Sequence, residues 1–145
     1  LGRMLDLQTV SDRIEIDDLI TRYTRSVDTL DWEQFDTVFT PDATIDYSAS
    51  GGMTGSRDEV RNWLAETLPM FSNMQHYVAQ KEVHLDGDTA EVRVYLMNPM
   101  QINQPDGSKW HMDVGGYYLH KLVRTPDGWR SRELVEELAW DRKPS

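Results

Sequence analysis

The spacing of apolar residues changes near residue 70, and that change constrains the fold more than any other feature. Before it, apolar side chains recur three or four positions apart, as they do on one face of a helix, except in the short stretch 43–47. After it, they alternate with polar residues, as they do in a half-buried strand. The sequence therefore predicts helices in the first half and a mostly antiparallel sheet in the second half, which is an α+β fold.

The start of the chain predicts two helices in succession. A capping residue at Thr9 or Ser11 precedes apolar residues at helical spacing, and the first helix is predicted to end near Asp28 or Thr29. A short amphipathic segment follows from Asp31. It is predicted to form the second helix.

A strand and a third helix are predicted next. Residues 43–47 alternate between apolar and polar side chains, which indicates a half-buried strand. Ser56 and Glu59 have the spacing of a capping box, in which each side chain bonds to the backbone of the other residue. The third helix is therefore predicted to begin at Ser56 and to end at about Leu68, before Pro69.

The second half contains four predicted strands, separated by turn residues: 74–85, 89–101, 109–124 and 129–138. Between the first two stands Asp86-Gly87, a dipeptide typical of tight hairpins. A strongly curved sheet with helices on its concave side encloses a conical cavity, and such a cavity suits a small, mostly apolar molecule. We expect the functional site there.

Length and composition limit the class of protein. The 145 residues, with no linker, predict a single domain over residues 4–145, and residues 1–3 are interpreted as a remnant of cloning. The 25 acidic and 15 basic residues give a formal net charge of −10, which disfavours nucleic acid and anionic membrane surfaces as partners. No membrane-helix or signal-peptide pattern is present, so a cytoplasmic protein is expected.

The sequence contains none of the common metal or nucleophile signatures. It has no Cys, and no two of its four His stand three or four residues apart, so no metal site is expected. Phosphate-binding glycine loops and the serine motif G-x-S-x-G are also missing from the chain.

The four histidines are the first candidates for chemistry, because imidazole can act as a general base near neutral pH. His84 lies beside a polar turn and is interpreted as a surface residue. His111 and His120 lie on one strand at odd separation, so at most one of them can face a shared pocket. His76 lies among apolar and aromatic neighbours, which fits either a core histidine or a catalytic base.

Asp28, at the predicted end of the first helix, has two interpretations. It either caps the following turn or faces a histidine, where a carboxylate holds one tautomer and stabilises the imidazolium. Tyr23 precedes it by five residues and could face the same side. The residues alone leave both alternatives open.

Four segments, taken with the order of the elements, are similar to one known family: residues 22–32, 39–47, 75–77 and 122–130. With them the chain, from about Leu7 to Arg142, resembles the SnoaL-like family of the nuclear transport factor 2-like superfamily. The resemblance implies a cone-shaped barrel, in which three helices cover the cavity of a curved, mixed, mostly antiparallel sheet. It does not select one function, because this superfamily contains dehydratases, isomerases, cyclases and binding domains.

Three enzyme families of this group are similar at individual residues. Scytalone dehydratase is similar around Asp28, Tyr47 and His76, and hexachlorocyclohexane dehydrochlorinase around Asp28 and His76. Bile-acid dehydratase has the spacing of Tyr23 and Asp28. The resemblance implies a His76–Asp28 base pair, hydrogen-bond donation by Tyr23 or Tyr47, and no cofactor. Val27 departs from scytalone dehydratase, which has a tyrosine there, so scytalone is a poor candidate substrate.

The function expected from this resemblance is a cofactor-independent dehydratase, double-bond isomerase or cyclase acting on a small cyclic hydrophobic metabolite, such as a polyketide, steroid or terpenoid. The alternatives are a binding module without turnover and the small subunit of a ring-hydroxylating dioxygenase. A homo-oligomer, dimer or trimer, is expected through the outer sheet face. Arg124 either corresponds to a pocket arginine of the dehydrochlorinase or faces solvent. The residues expected to line the pocket are Trp32, Trp63, Phe71, Met74, Met97, Trp110, His111 and Tyr118.

Overall fold

The computed structural model describes residues 3–145, which form three α-helices and seven strands in the predicted α+β order. The helices are α1 (Leu7–Asp28), α2 (Trp32–Asp36) and α3 (Arg57–Thr67). The strands are β1 (Phe39–Asp46), β2 (Thr54–Ser56), β3 (Asn73–Met74), β4 (Tyr77–Asp86), β5 (Thr89–Asn103), β6 (Lys109–Thr125) and β7 (Gly128–Arg142). Leu1 and Gly2, part of the segment interpreted as a cloning remnant, lie outside the described residues.

The helix starts follow from side-chain caps. α1 begins slightly earlier than predicted, because the Asp6 carboxylate accepts a hydrogen bond from the Thr9 N–H at 2.7 Å. The capping box before α3 is confirmed, with the Glu59 N–H bonded to the Ser56 hydroxyl and the Ser56 N–H bonded to the Glu59 carboxylate. No helix within residues 3–145 combines the length and the apolar character that crossing a bilayer requires.

The strands form one mixed sheet in the order β2-β1-β7-β6-β5-β3, and β4 also pairs with β5. Every pair is antiparallel except β1 with β7, so the predicted mostly antiparallel sheet is confirmed. The sheet is not closed on itself. Two details were not predicted: the short β2 between β1 and α3, and the division of the strand predicted over 74–85 into β3 and β4.

One face of the sheet packs against α1. Ile16, Leu19 and Ile20 on the helix are at most 1% exposed and form one cluster with Val92 of β5 and Leu134 of β7. Because residues from distant strands join the same cluster, the sheet curves around the helix. The site described below lies where this cluster ends.

Gly115 and Gly116 are adjacent residues in the middle of β6. The register between β6 and β7 shifts between these two residues. A side chain at Gly115 has no room, because an added Cβ would lie 2.2 Å from the indole of Trp140. Glycine therefore lets the indole pack flat on the strand backbone.

Candidate active site

Asp28 and His76, which are 48 residues apart in the sequence, are joined by two hydrogen bonds. The ring Nδ1 of His76 lies 2.5 Å from Asp28 Oδ1, and the backbone N–H of His76 donates to Asp28 Oδ2 at 3.0 Å. Their side chains are only 7% and 12% exposed. The carboxylate thus orients the imidazole, holds a proton on Nδ1 and leaves Nε2 as the nitrogen that can accept one.

The break between β3 and β4 places His76 at the end of α1. Before the break, the Gln75 N–H donates to the Pro99 carbonyl at 3.2 Å, and strand pairing resumes at Tyr77. At His76 the backbone N–H turns to Asp28 instead of to the neighbouring strand. The carboxylate therefore replaces one bond of the ladder, which is why the predicted strand is interrupted there.

Three buried tyrosines lie near this pair. The hydroxyls of Tyr23 and Tyr47 hydrogen-bond to each other, and the ring of Tyr118 packs edge-on against Tyr23 with 5.2 Å between centroids. The Tyr118 ring is also 6.5 Å from the ring of His76. Burial raises the pKa of all three phenols, so they remain protonated. Neutral phenols can donate hydrogen bonds to negative charge that develops on a bound molecule.

Asn98 and Glu136 also face the cavity, and the sequence analysis missed both. Asn98 is 6% exposed and continues the inward alternation of Val94 and Leu96 on β5, yet its Oδ1 has no hydrogen-bond partner in the described residues. Glu136 follows the buried Leu134 by two positions on β7. Both could have been found from the sequence, because each is a polar residue at an inward-facing position of a strand with alternating apolar residues.

These polar groups form part of a cavity of about 300 Å³. Its apolar walls come from α3, the turn after it, and the strands: Trp63, Leu64, Leu68, Phe71, Met74, Met100, Met112 and Val114. Apolar walls with a few convergent polar groups are typical of a small-molecule site. Within residues 3–145, no three His, Asp or Glu side chains are grouped as metal ligands would be.

Four of the eight predicted lining residues line the cavity: Trp63, Phe71, Met74 and Tyr118. The structure corrects the placement of the other four. Met97 and His111 are odd-numbered on β5 and β6, whose even-numbered side chains point inward, so both are exposed on the outer face. Trp110 lies at the beginning of β6, outside the cavity, and is 46% exposed. Trp32 packs against the ring of Phe35 instead.

Arg124, whose role the sequence left open, forms ion pairs away from the cavity. Its guanidinium donates to both carboxylate oxygens of Asp12, at 2.8 and 2.9 Å, and to Asp88 at 2.9 Å. It also lies over the ring of Trp129, 4.7 Å from the centroid. The hydrogen bonds from Arg124 lower the pKa of Asp12 to about 2. Arg124 therefore fastens the start of α1 to the sheet.

His120 faces the core, whereas His111 is exposed, as their odd separation predicted. Its Nδ1 lies 2.8 Å from the Ser131 hydroxyl, and its ring lies 5.8 Å from the ring of Tyr23. Burial lowers the pKa of His120 to about 3, so the ring is neutral at physiological pH. His120 is not among the cavity-lining residues and packs behind Tyr23.

Comparison with known proteins identifies the family. Residues 8–135 match the SnoaL-like domain, which is most of the chain. The chain belongs to the SnoaL-like domain family. A relative from Mycobacterium tuberculosis, described only as an uncharacterized protein, is 39% identical over 133 residues, which cover 92% of this chain and 89% of the relative.

Solved structures share the fold of this SnoaL-like protein. The Kfla4162 protein of Kribbella flavida superposes with a TM-score of 0.84 at 26% identity, over 93% of this chain and 95% of the other. A protein of Novosphingobium aromaticivorans, provisionally named scytalone dehydratase, superposes with a TM-score of 0.81 at 15% identity, over 92% of this chain and 88% of the other. A type 2 hexachlorocyclohexane dehydrochlorinase superposes with a TM-score of 0.81 at 18% identity, over 97% of this chain and 93% of the other. The predicted cone fold of the nuclear transport factor 2-like superfamily is thereby confirmed.

Proposed function

We propose that this SnoaL-like protein is a cofactor-independent lyase or isomerase that acts on a small cyclic molecule with a largely apolar body. The observation that carries the proposal is the contact of 2.5 Å between His76 Nδ1 and the Asp28 carboxylate at the cavity. A carboxylate bonded to one ring nitrogen makes the other nitrogen an oriented general base, which commonly accelerates proton transfer by about 10²–10⁴-fold.

The proposed reaction begins with removal of a proton from carbon. Neutral His76 accepts, at Nε2, a proton from a C–H group beside a carbonyl, and the C–H electron pair passes into an enolate. Asp28 stabilises the imidazolium that forms. The hydroxyls of Tyr23 and Tyr47 bond to each other, so one of the two phenols keeps a free proton that it can donate to the enolate oxygen, and burial keeps both phenols protonated.

One enolate can lead to each of the expected reactions. Loss of a group from the neighbouring carbon is an elimination, return of the proton to a different carbon moves a double bond, and attack on a second carbonyl closes a ring. The aromatic and thioether side chains of Trp63, Phe71 and Met74 line the cavity and keep water from the reacting carbons.

The fold neighbours support elimination as the first class to test, because their names describe a dehydratase and a dehydrochlorinase. A homo-oligomer is part of the same proposal. The outer sheet face exposes Met97 and Trp140, which flank Gly115 in one row across three strands, and Tyr95 lies two residues from Met97. A second copy of the chain could cover this apolar row.

Proton exchange on 2-tetralone tests the base directly. This bicyclic ketone has acidic C–H groups, and their replacement by deuterium in D₂O is followed by proton NMR. We expect the His76→Ala variant to exchange at least about 100-fold more slowly than the wild type. The matched control is His84→Ala, since His84 is 75% exposed and lies outside the cavity.

An undiminished exchange rate in a folded His76→Ala variant would remove the proposal. Binding of 2-tetralone by the wild-type protein without any exchange would instead favour the alternative of a binding module. Circular dichroism of both variants shows whether the fold is intact.

A further inference from the structure

Two polar atoms at the cavity have no hydrogen-bond partner among the described residues, and the proposed role of His76 as a base does not account for them. Five buried side-chain polar atoms in residues 3–145 have no hydrogen-bond partner, and two of them belong to cavity-lining residues: Asn98 Oδ1 and Glu136 Oε1. Buried polar groups in proteins are nearly always paired. An unpaired atom at a cavity therefore indicates that a bound molecule supplies the partner.

Glu136 and His76 enter the cavity from different sides. Glu136 pairs with Tyr118 in the register of β7 with β6, and it follows Val135, which pairs with the last residue of β1. Glu136 therefore lies beside the tyrosines. His76 stands at the β3–β4 break, beyond β5, so β6 and β5 lie between the two residues across the sheet. A molecule in the cavity can contact both at once.

The surroundings of Glu136 shift the pKa of its carboxyl upward, toward the protonated form. No Lys or Arg of the described residues forms an ion pair with it. The titratable groups around it are Asp46, His76 and the tyrosines at 23, 47 and 118. Burial raises the pKa of Glu136 and the charge of Asp46 acts in the same direction, whereas His76 and a hydrogen bond from Ser50 oppose them.

We propose that Glu136 is the proton donor of a dehydration at this site, and that the substrate carries a hydroxyl leaving group on the side opposite His76. This inference rests on the proposed function. His76 Nε2 takes the C–H proton and the C–H electron pair forms the new C=C bond. The C–O bond breaks, its electron pair stays on oxygen, and the Glu136 carboxyl gives that oxygen a proton, which forms water. The proton held by His76 then returns to Glu136 through solvent.

A pair of leaving groups tests this role. Elimination from 3-hydroxycyclohexanone needs a proton on the departing oxygen, whereas 3-(4-nitrophenoxy)cyclohexanone releases a stable phenolate without one. We expect Glu136→Gln to slow the first reaction by about 100-fold or more and the second by less than about 3-fold. Glu136→Asp keeps an acidic proton and is expected to retain more activity on the hydroxyl compound than Glu136→Gln.

The outcomes separate this inference from the proposed function. Equal losses on both compounds, or no loss on either, overturn the role of Glu136 as proton donor. Exchange of 2-tetralone by the wild-type protein with no elimination from either cyclohexanone overturns the inference and leaves the proposed function standing. Absence of exchange as well overturns both. Thermal unfolding of each variant identifies losses of activity that come from a damaged fold. If Glu136→Gln is damaged, the activity of Glu136→Asp on the hydroxyl compound decides whether an acidic proton is needed.

Discussion

The Asp28 carboxylate holds His76 at two points, through the ring Nδ1 at 2.5 Å and the backbone N–H at 3.0 Å. One side chain thus sets both the orientation of the imidazole and the course of the chain that carries it. Because the contact joins the last residue of α1 to the gap between β3 and β4, the base is built on rigid elements at both ends.

Replacement of Asp28 by Asn tests the orienting role. The amide oxygen can still accept one hydrogen bond, but the negative charge that stabilises the imidazolium is lost. We expect the exchange of 2-tetralone to fall by about 10³–10⁴-fold, as in other carboxylate–histidine pairs. Asp127→Asn, at an exposed turn, is the matched control. A fall of less than about tenfold in a stable Asp28→Asn variant would assign the carboxylate a structural role only.

The pH dependence of dehydration tests Glu136. At high pH the rate is expected to fall because Glu136 loses its proton, at a pH above the usual glutamate range since burial raises its pKa. The Glu136→Gln variant is expected to lose the decline at high pH. An unchanged profile, measured with 3-hydroxycyclohexanone, would contradict this assignment.

Arg124 is expected to contribute to stability and not to catalysis. Arg124→Met keeps packing on Trp129 but leaves Asp12 without its cation, which should lower the free energy of unfolding. Urea unfolding measures this loss, with Arg132→Ala at an exposed position as the control. Exchange of 2-tetralone by the folded variant should be unchanged, because Arg124 does not line the cavity.

The same ion pair predicts how stability changes with pH. The pKa of Asp12 is lowered from 3.8 to about 2 in the folded protein, so its contribution is complete above pH 4 and is lost as the pH falls toward 2. The wild-type melting temperature should therefore decline over that window. Arg124→Met should decline less, and equal declines would show that Asp12 is not held by this cation.

Asn98 is expected to select hydroxylated ligands. Its buried Oδ1 lacks a hydrogen-bond partner among residues 3–145, so a ligand hydroxyl can supply one. Asn98→Leu should weaken the binding of 6-hydroxy-2-tetralone by about tenfold and leave the binding of 2-tetralone unchanged or tighter. Calorimetric titration measures both, and Asn62→Leu, on the exposed side of α3, is the control. Equal effects on the two ligands would contradict a hydrogen bond to Asn98.

Features that depend on a few neighbouring residues were predictable from the chain. The change of apolar spacing near residue 70 separates the three α-helices from the long strands β4–β7, and the Ser56–Glu59 box places the start of α3. Gly87 adopts a φ of +60° in the predicted hairpin turn, which glycine does without strain. Each of these is local, because the energies involved are those of backbone conformation and of side chains within four positions.

The site was predictable only in part. His76, Asp28 and Tyr23 were candidates from their positions in the chain, and the family resemblance added Tyr47 and implied that Asp28 and His76 form a pair. Alternation along a strand shows which side chains face inward, but it does not show where the packed core gives way to a cavity. For that reason Asn98 and Glu136 were missed, and Trp110 was placed in a cavity that ends before it reaches that residue.

Local sequence thus specified which segments are helices and strands, whereas long-range packing specified which of them meet. The parallel pairing of β1 with β7 and the contact between Asp28 and His76 join residues far apart in the chain. Such contacts depend on how the curved sheet closes over α1, and the loss of chain entropy on bringing them together is offset by burial of the whole core. The balance between chain entropy and core burial depends on the whole chain, so no short segment of sequence predicts it.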